Sequence, residues 1–136
     1  MLNDKKRLVV LVAVMLVLCG VLFWMFSKPA TYPSQDTGQK VADEFLKAIQ
    51  SGQAADAWQS TTAEFKSAEG REAFLAFVKK HAFITKPLEF TSSQLVDVQD
   101  QQRSEFVYRV PENKTTIRLV IGREAGTWKV DRIAVH

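Results

Sequence analysis

Two side chains in this sequence have the chemistry for acid–base work and fall where an apolar interior is predicted. His81 lies on the apolar face of a predicted helix over 69–82, and Tyr108 lies on the apolar side of a predicted strand over 105–110. An imidazole changes charge near neutral pH and a phenol can donate a proton, so the pair is a candidate catalytic site. The alternative is structural, because a histidine on an apolar helix face is usually a hydrogen-bonded residue of the core or its rim.

No other pattern in the sequence points to catalysis or to metal binding. His81 and His136 are the two histidines, and neither has a cysteine or a glutamate at the spacing of a zinc site. The signatures of serine hydrolases, nucleotide-binding P-loops and dinucleotide-binding folds do not occur in the sequence. We therefore expect no metal site and no cofactor.

A second candidate site lies on the opposite side of the same predicted strands. Val107 and Val120 fall on the outward side, framed by Arg109 and Arg118. Apolar surface rimmed by arginine suits an interface with a protein partner or a second copy. The alternative interpretation is alternating charge on an ordinary solvated sheet face.

The elements that would position these residues change in character halfway along the chain. The first half has helical periodicity, with a cap at Asp36 or Thr37, and the second half alternates with period two. The strands are joined by short links, which favours antiparallel hairpins. Three helices are predicted, followed by four strands: 37–51, 54–59 and 69–82, then 88–98, 105–110, 115–123 and 127–135.

Two of the predicted strands are interrupted. Ser92 and Gln94 break the apolar alternation of 88–98, and the alternation of 127–135 changes parity at Asp131 and Arg132. Each interruption predicts a bulge or a bend. Trp58 and Trp128 are predicted to be buried anchors of the core.

An apolar segment precedes this domain. Leu8 to Phe26 is a run of 19 uncharged residues, which as a helix would span about 28 Å, close to the thickness of a hydrocarbon core. The run is longer than the apolar part of a cleaved secretory signal, and Lys28-Pro29-Ala30 makes a poor cleavage site. We expect an uncleaved signal anchor.

The net charge of +3 belongs to the flanks of this run. Four of the 18 basic residues and one of the 15 acidic residues precede Pro29, so the remaining 14 of each sign cancel. Nucleic-acid binding is therefore not expected. Basic residues at Lys5, Lys6 and Arg7 predict a cytoplasmic N-terminus under the positive-inside rule.

The predicted organisation is α+β: one N-terminal transmembrane helix, then a small domain of about three helices packed on a curved four-stranded antiparallel sheet. The predicted segments are a cytoplasmic N-terminus over 1–7, a transmembrane helix over 8–26, a linker over 27–36 and a folded domain over 37–136.

The segments VADEFLKAIQSGQAADAWQSTTAEFK at 41–66 and GTWKVDRIAV at 126–135 resemble the nuclear transport factor two-like (cystatin-like cone) superfamily. The resemblance implies a sheet curled around helices. It also implies a range of functions, from ketosteroid-isomerase-like enzymes to membrane-anchored assembly subunits. Inner-membrane components of type IV secretion systems look similar in joining one N-terminal span to a periplasmic domain of this fold.

The leading hypothesis is a single-pass membrane protein that binds or assembles partners without catalysis. Its expected location is a bacterial inner membrane, with the folded domain periplasmic or extracellular. Its expected partners are the lipid bilayer and either a membrane-protein complex or a second copy. The alternative hypothesis is a small-molecule-binding protein or ketosteroid-isomerase-like enzyme whose pocket contains His81 and Tyr108.

Overall fold

The computed structural model describes residues 3–26 and 31–136. The chain divides into two units, Met1–Ala30 and Thr31–His136. The first four residues of the predicted linker, 27–30, lie outside the described residues. The folded unit begins at Thr31, earlier than the predicted boundary at 37.

The first unit contains a single helix, α1, over Asp4–Phe26. It begins four residues before the apolar run, so its first turn includes the charged residues that flank the run. The helix is long and apolar enough to cross a membrane, and the spanning segment Asp4–Met25 is not buried within the protein. This result confirms the prediction of one candidate membrane-spanning helix.

The folded unit contains one helix more than predicted. Its helices are α2 over Gln35–Gln50, α3 over Ala54–Gln59, α4 over Ala63–Ala68 and α5 over Arg71–Lys80, followed by a 3₁₀ turn over Ala82–Thr85. The unexpected element is α4, a helix of six residues in which Phe65 is the buried side chain. Thr62 starts it, since its side chain accepts a hydrogen bond from the Phe65 N–H at 3.1 Å.

The longest of these helices, α2, lies against the sheet. Ser34 caps it, instead of the predicted Asp36 or Thr37, and the Ser34 hydroxyl accepts the Thr37 N–H. Its apolar side chains recur at helical spacing and are buried on one face. They are Ala42, Phe45, Leu46 and Ile49.

The sheet is an open antiparallel meander in the order β1-β2-β3-β4. The strands are β1 over Glu89–Val98, β2 over Gln101–Arg109, β3 over Thr116–Glu124 and β4 over Thr127–Val135. Two-residue turns join β1 to β2 and β3 to β4, and both residues of each turn have positive φ. Helices first and an antiparallel sheet second make the fold α+β, as predicted.

Both predicted interruptions are present. The register of β1 against β2 shifts between Phe90 and Ser92. The register of β3 against β4 shifts where Val120 and Ile121 pair with Arg132 and Val130, which leaves Asp131 as the extra residue. The second shift returns Ile133 and Val135 to the core side, where both pack against the core.

The space between the helices and the sheet is filled with large apolar side chains. Phe106, Ile117, Leu119 and Ile121 from the sheet are fully buried, and they meet Phe45 and Phe74 from the helices in one cluster. Gly38 lets α2 approach this layer, since a Cβ there would lie 2.4 Å from the Phe106 ring. The contact leaves no room for a larger residue at position 38.

Trp58 and Trp128 are only half-buried, so the prediction of two buried anchors is wrong. Both rings pack against the core but stay at its rim, where basic side chains cover them. Lys66 Nζ lies 5.5 Å from the centre of the Trp58 ring, and the Arg123 guanidinium lies 5.3 Å from that of Trp128. Trp58 Nε1 also donates a hydrogen bond to the Glu69 carbonyl at 2.9 Å.

Candidate functional site

Tyr108 is buried at the core side of β2 and is bound to α2. Its hydroxyl donates a hydrogen bond to Asp43 Oδ1 at 2.5 Å, and only 3% of the residue is exposed. Burial raises the pKa of the Tyr108 phenol well above its ordinary value, and the hydrogen bond to Asp43 and the charge of Asp43 add to the rise. The phenol therefore stays protonated and ties α2 to the sheet.

His81 is half-buried at the C-terminal end of α5, between two aromatic rings. Its ring centre lies 4.5 Å from that of Phe77 and 5.7 Å from that of Phe83. Nδ1 lies 3.0 Å from the Phe77 carbonyl oxygen. A carbonyl oxygen only accepts, so Nδ1 is the donor in this contact.

The structure does not join the two candidate acid–base groups. Within residues 31–136, no hydrogen bond, ion pair or ring contact links His81 to Tyr108. Tyr108 is bonded to Asp43 of α2, and His81 contacts the Phe77 carbonyl of its own helix. The geometry matches the structural alternative for both residues, and a catalytic role remains a prediction that no observation tests.

A shallow groove lies beside Tyr108, at the C-terminal half of α2. It has a volume of about 350 Å³ and combines Asp43, Lys47 and Gln50 with an apolar wall formed by Leu46, Pro87, Leu88 and Tyr108. Gln50 Nε2 donates a hydrogen bond to the Lys86 carbonyl at 3.0 Å. His81 is not part of this groove.

The two arginines of the second candidate site lie on the outer face of the sheet, and both are paired. Arg109 contacts Glu89 at 2.9 Å, and both side chains are more than half exposed. Arg118 contacts Glu105 at 2.9 Å, and 36% of the Arg118 side chain is exposed. The outer position of these arginines agrees with the sequence, and a role in binding a partner stays a prediction.

Val107 and Val120 are buried, so the expectation that Val120 presents an exposed side chain is wrong. Their exposed fractions are 6% and 4%, although neither belongs to the main core cluster. In the register of β2 and β3, Glu105 lies opposite Val120, and Arg118 lies opposite Val107. The Glu105–Arg118 ion pair thus runs diagonally across the two valines and covers them.

One polar cluster was not anticipated from the sequence. Arg103 forms an ion pair with Asp131 Oδ2 and lies 3.6 Å from Glu64 Oε2. Asp131 Oδ1 accepts a hydrogen bond from the Thr62 hydroxyl at 2.7 Å. The Arg103 and Asp131 side chains are only 12% and 4% exposed. Three segments that are far apart in sequence meet here, so this cluster serves as a structural tie.

Two signals in the sequence bear on this cluster. The parity switch at Asp131 marks the bulge that turns its carboxylate toward the cluster. Gly122 provides the space, because a Cβ there would lie 3.3 Å from Arg103 Nη1 and 3.2 Å from the Cβ of Asp131. Neither signal identifies Arg103 or Thr62 as the partner, since both lie far from Asp131 along the chain.

Among residues 3–26 and 31–136, no group of three or more histidine, cysteine, aspartate or glutamate side chains is arranged to hold a metal ion. Cys19, an exposed free thiol, lies in α1.

No protein-family model matches the chain, and no curated protein matches it either.

Proposed function

We propose that this chain is a single-pass, membrane-anchored subunit that binds or assembles other proteins without catalysing a reaction. Its folded unit would have a nuclear transport factor two-like fold and lie outside the cytoplasm, in the periplasm of a bacterium whose inner membrane holds α1. We propose a function without catalysis because of one observation, the packing of the interior of the folded unit.

Within residues 31–136, large apolar side chains fill the space between the helices and the sheet, and the groove beside Tyr108 is shallow and does not include His81. The helices and the sheet meet through fully buried apolar side chains, which are Phe106, Ile117, Leu119 and Ile121 from β2 and β3 and Phe74 and Ile84 from the helical layer. Binding sites for small molecules are concave and combine apolar walls with a few converging polar groups. Here Tyr108 and His81 do not converge.

The apolar helix supports anchoring. Side chains along α1 such as Leu16, Phe23 and Trp24 are more than half exposed, and an apolar helix with this much exposed surface needs lipid or a partner helix around it. The basic residues Lys5, Lys6 and Arg7, which precede the apolar run, favour retention of the N-terminus in the cytoplasm. The order of helices followed by an antiparallel meander supports the proposed resemblance in fold.

The test of subunit function is the size of the species in native membranes. The full chain, tagged at its C-terminus and expressed at its natural level in its own host, should migrate in mild detergent as a complex larger than the single chain. Cross-linking in intact cells before extraction should give the same complex. A chain that stays single in both measurements would contradict the proposal.

A matched variant separates binding from catalysis. The double substitution His81→Gln and Tyr108→Phe removes both acid–base groups while keeping their approximate shapes. We expect the complex to form as in the wild type, with some loss of stability from the broken Tyr108–Asp43 bond. The opposite result would be a strain in which the double variant forms the complex normally but the cells show the phenotype of a gene deletion. That result would favour catalysis.

Orientation has its own test. Alkaline phosphatase, which is active only outside the bacterial cytoplasm, should be active when fused after His136. A fluorescent reporter that folds only in the cytoplasm should be dark at the same position. The reverse result would place the folded unit inside the cell.

The ligand-binding alternative has one observation in its favour, the groove of about 350 Å³ beside Tyr108. Lys47 is exposed at its mouth, and Asp43 keeps a second carboxylate oxygen beside the one bonded to Tyr108. A small-molecule metabolite that co-purifies with the wild type, but not with a Lys47→Glu variant that keeps its fold, would support this alternative.

A further inference from the structure

The β1 edge of the sheet is open. Among residues 31–136, β1 pairs only with β2, and no second strand lies along its other side. The opposite edge is different, because the Thr62 N–H donates a hydrogen bond to the Val130 carbonyl of β4 at 3.1 Å. An open edge presents backbone groups that can pair with another strand.

A groove without charge runs beside this open edge. It has a volume of about 270 Å³ and lies between the start of α2 and β1. Tyr32 and Leu95 line it with 39% and 50% exposure, and they are the exposed large apolar side chains of residues 31–136. Pro33 and Phe106, both buried, also line it. The other residues around it are serine and glutamine, whereas the groove beside Tyr108 contains the charged residues Asp43 and Lys47.

The register of β1 shows what an added strand would meet. Ser93 pairs with Phe106, Leu95 with Ser104 and Asp97 with Gln102. Phe106 faces the core, so Ser93, Leu95 and Asp97 share the side on which the groove lies. A strand added along β1 would place alternate side chains next to Leu95 and Asp97.

The charge of β1 distinguishes between two candidate partners for this edge, a second copy of the chain and a segment of another protein. β1 carries the acidic residues Glu89 and Asp97 and no basic residue. Arg109 pairs with Glu89, while Asp97 makes no ion pair with any residue of 31–136. A second copy would bring another β1 without a basic residue, so it would supply no charged partner for Asp97.

We propose that β1 receives an extended segment of another protein as an added strand. That segment would carry an apolar side chain next to Leu95, filling the groove, and a lysine or arginine next to Asp97. Main-chain hydrogen bonds would provide affinity, and the two alternating side chains would provide specificity. This inference rests on the proposed function, the binding of other proteins, and adds the chemistry of the segment that would be bound.

The test uses the full chain in mild-detergent micelles and two synthetic peptides as probes. Each peptide has about ten residues, a strand's length, with alternating valine and threonine around a central lysine or a central glutamate. By fluorescence anisotropy, the lysine peptide should bind about tenfold more tightly than the glutamate peptide. It should also slow amide hydrogen exchange within β1.

Two variants sharpen this test. Asp97→Lys should reverse the preference, so that the glutamate peptide binds more tightly. Leu95→Lys should abolish binding of both peptides, because it places a charge in the groove. The matched control is Glu112→Lys, which changes an exposed acid in the β2–β3 turn and should leave both affinities unchanged.

Three results would overturn the inference. The first is that the two peptides bind the wild-type chain with equal affinity, or that neither binds, while circular dichroism shows that the chain is folded. The second is slow exchange in β1 when the chain is moved into phosphatidylcholine vesicles without peptide, which would make lipid the occupant. The third is a cross-link between Leu95 positions of two chains, which would make a second copy the occupant.

The native complex distinguishes this inference from the proposed function. If a complex exists in native membranes and Leu95→Lys disrupts it while Glu112→Lys does not, both proposals are supported. If the complex survives Leu95→Lys, the edge inference fails and the proposed function stands. If no complex exists with the wild-type chain, the proposed function itself fails.

Discussion

The two edge strands of the sheet end the same meander in different ways. At β4, the bulge at Asp131 directs a carboxylate into a buried ion pair with Arg103, and Thr62 at the start of α4 bonds to both the strand and the carboxylate. At β1, the bulge near Thr91 interrupts the ladder, and the edge stays uncovered. One edge is closed by a helix and a buried charge, while the other is protected only by its irregular shape.

This difference indicates which edge of the sheet stabilises the fold and which edge is available to bind a partner. Residues at β4 are held by contacts between distant segments of the chain, so substitutions there should affect stability. The exposed residues Leu95 and Asp97 of β1 make few such contacts, so substitutions there should affect binding and leave stability nearly unchanged. The predictions below test this division.

The largest effect is expected at the closed edge. Asp131→Ala would leave the buried Arg103 guanidinium with only the more distant carboxylate of Glu64, 3.6 Å away, and the Thr62 hydroxyl without its acceptor. Breaking a buried pair by removing one partner costs about 3–5 kcal/mol of the free energy of unfolding. Urea denaturation of the full chain in mild detergent, followed by near-ultraviolet circular dichroism, measures the loss.

Asp97→Ala is the control at the open edge. An exposed carboxylate without an ion pair should change the free energy of unfolding by no more than about 0.5 kcal/mol. Equal losses from Asp131→Ala and Asp97→Ala would mean that the two edges do not differ in the way described.

A smaller loss is expected beneath the open edge. In Gly38→Ala the new methyl group would overlap the fully buried Phe106 ring, 2.4 Å away, and the Pro33 ring, 2.9 Å away. Overpacking of this kind costs about 1–3 kcal/mol. The same denaturation assay measures it, and a loss would show that the groove has a rigid floor although the edge beside it is open.

Gly70→Ala is the matched control for this substitution. Gly70 has negative φ and no atom within 4 Å of an added Cβ, but it is the N-cap of α5, where glycine is preferred to alanine, so Gly70→Ala should cost no more than about 1 kcal/mol. If Gly38→Ala is as well tolerated as Gly70→Ala, then α2 is free to move on the sheet.

A gain in stability is expected at the hairpin tip next to the closed edge. Ala125 has φ of 50° and Gly126 has φ of 78°, which is the conformation of a type I′ turn. Ala125→Asn creates the asparagine–glycine pair that this turn favours and should add about 0.5–1 kcal/mol to the free energy of unfolding. The thermal midpoint measures the gain, and Ala125→Val should lower it because a β-branched residue is strained at positive φ.

The smallest effect concerns pH. Glu124 Oε2 accepts the Ala63 N–H at the start of α4 at 2.6 Å, and Oε1 lies 3.3 Å from Lys129 Nζ. The bond from Ala63, followed by the contacts of Lys129, lowers the pKa of Glu124 below its ordinary value of 4.5. Its contribution to stability is therefore complete above pH 4.5 and is lost as the pH falls through the lowered pKa.

Glu124→Gln removes this titration, so the variant should lose less stability than the wild type between pH 4.5 and more acidic values. Unfolding measured over that range tests the prediction. Parallel pH curves for the two proteins would mean that the Ala63–Glu124 bond does not form in solution.

The parts of the fold that were predictable are those with a local pattern. The strand at Thr127–Val135 was predicted with its bounds, and both interruptions were predicted, because a change of parity is visible within a few residues. Helix α3, which has six residues, was predicted, whereas α4, of the same length, was missed. Its start depends on Thr62, whose side chain is held by Asp131, 69 positions further along the chain.

The parts of the site that could not be predicted depend on register between strands. The sequence places Val107 and Val120 on the outer face, but their burial follows from the diagonal Glu105–Arg118 ion pair, which requires knowing which residues lie opposite each other. The partner of Tyr108 also comes from another element, since Asp43 is on α2. Long-range pairing of polar groups leaves no periodic signal in the sequence.

The closed edge also has a consequence for the time at which the chain is made. Thr62 and Arg103 are synthesised well before Asp131, and β4 is the last strand of the meander to leave the ribosome. Until β4 has been added, β3 is itself an unpaired edge, and the nascent chain has two open strands instead of one. We infer that this interval is the period of greatest risk of aggregation for the nascent protein, and that completing β4 ends it by removing one of the two open strands.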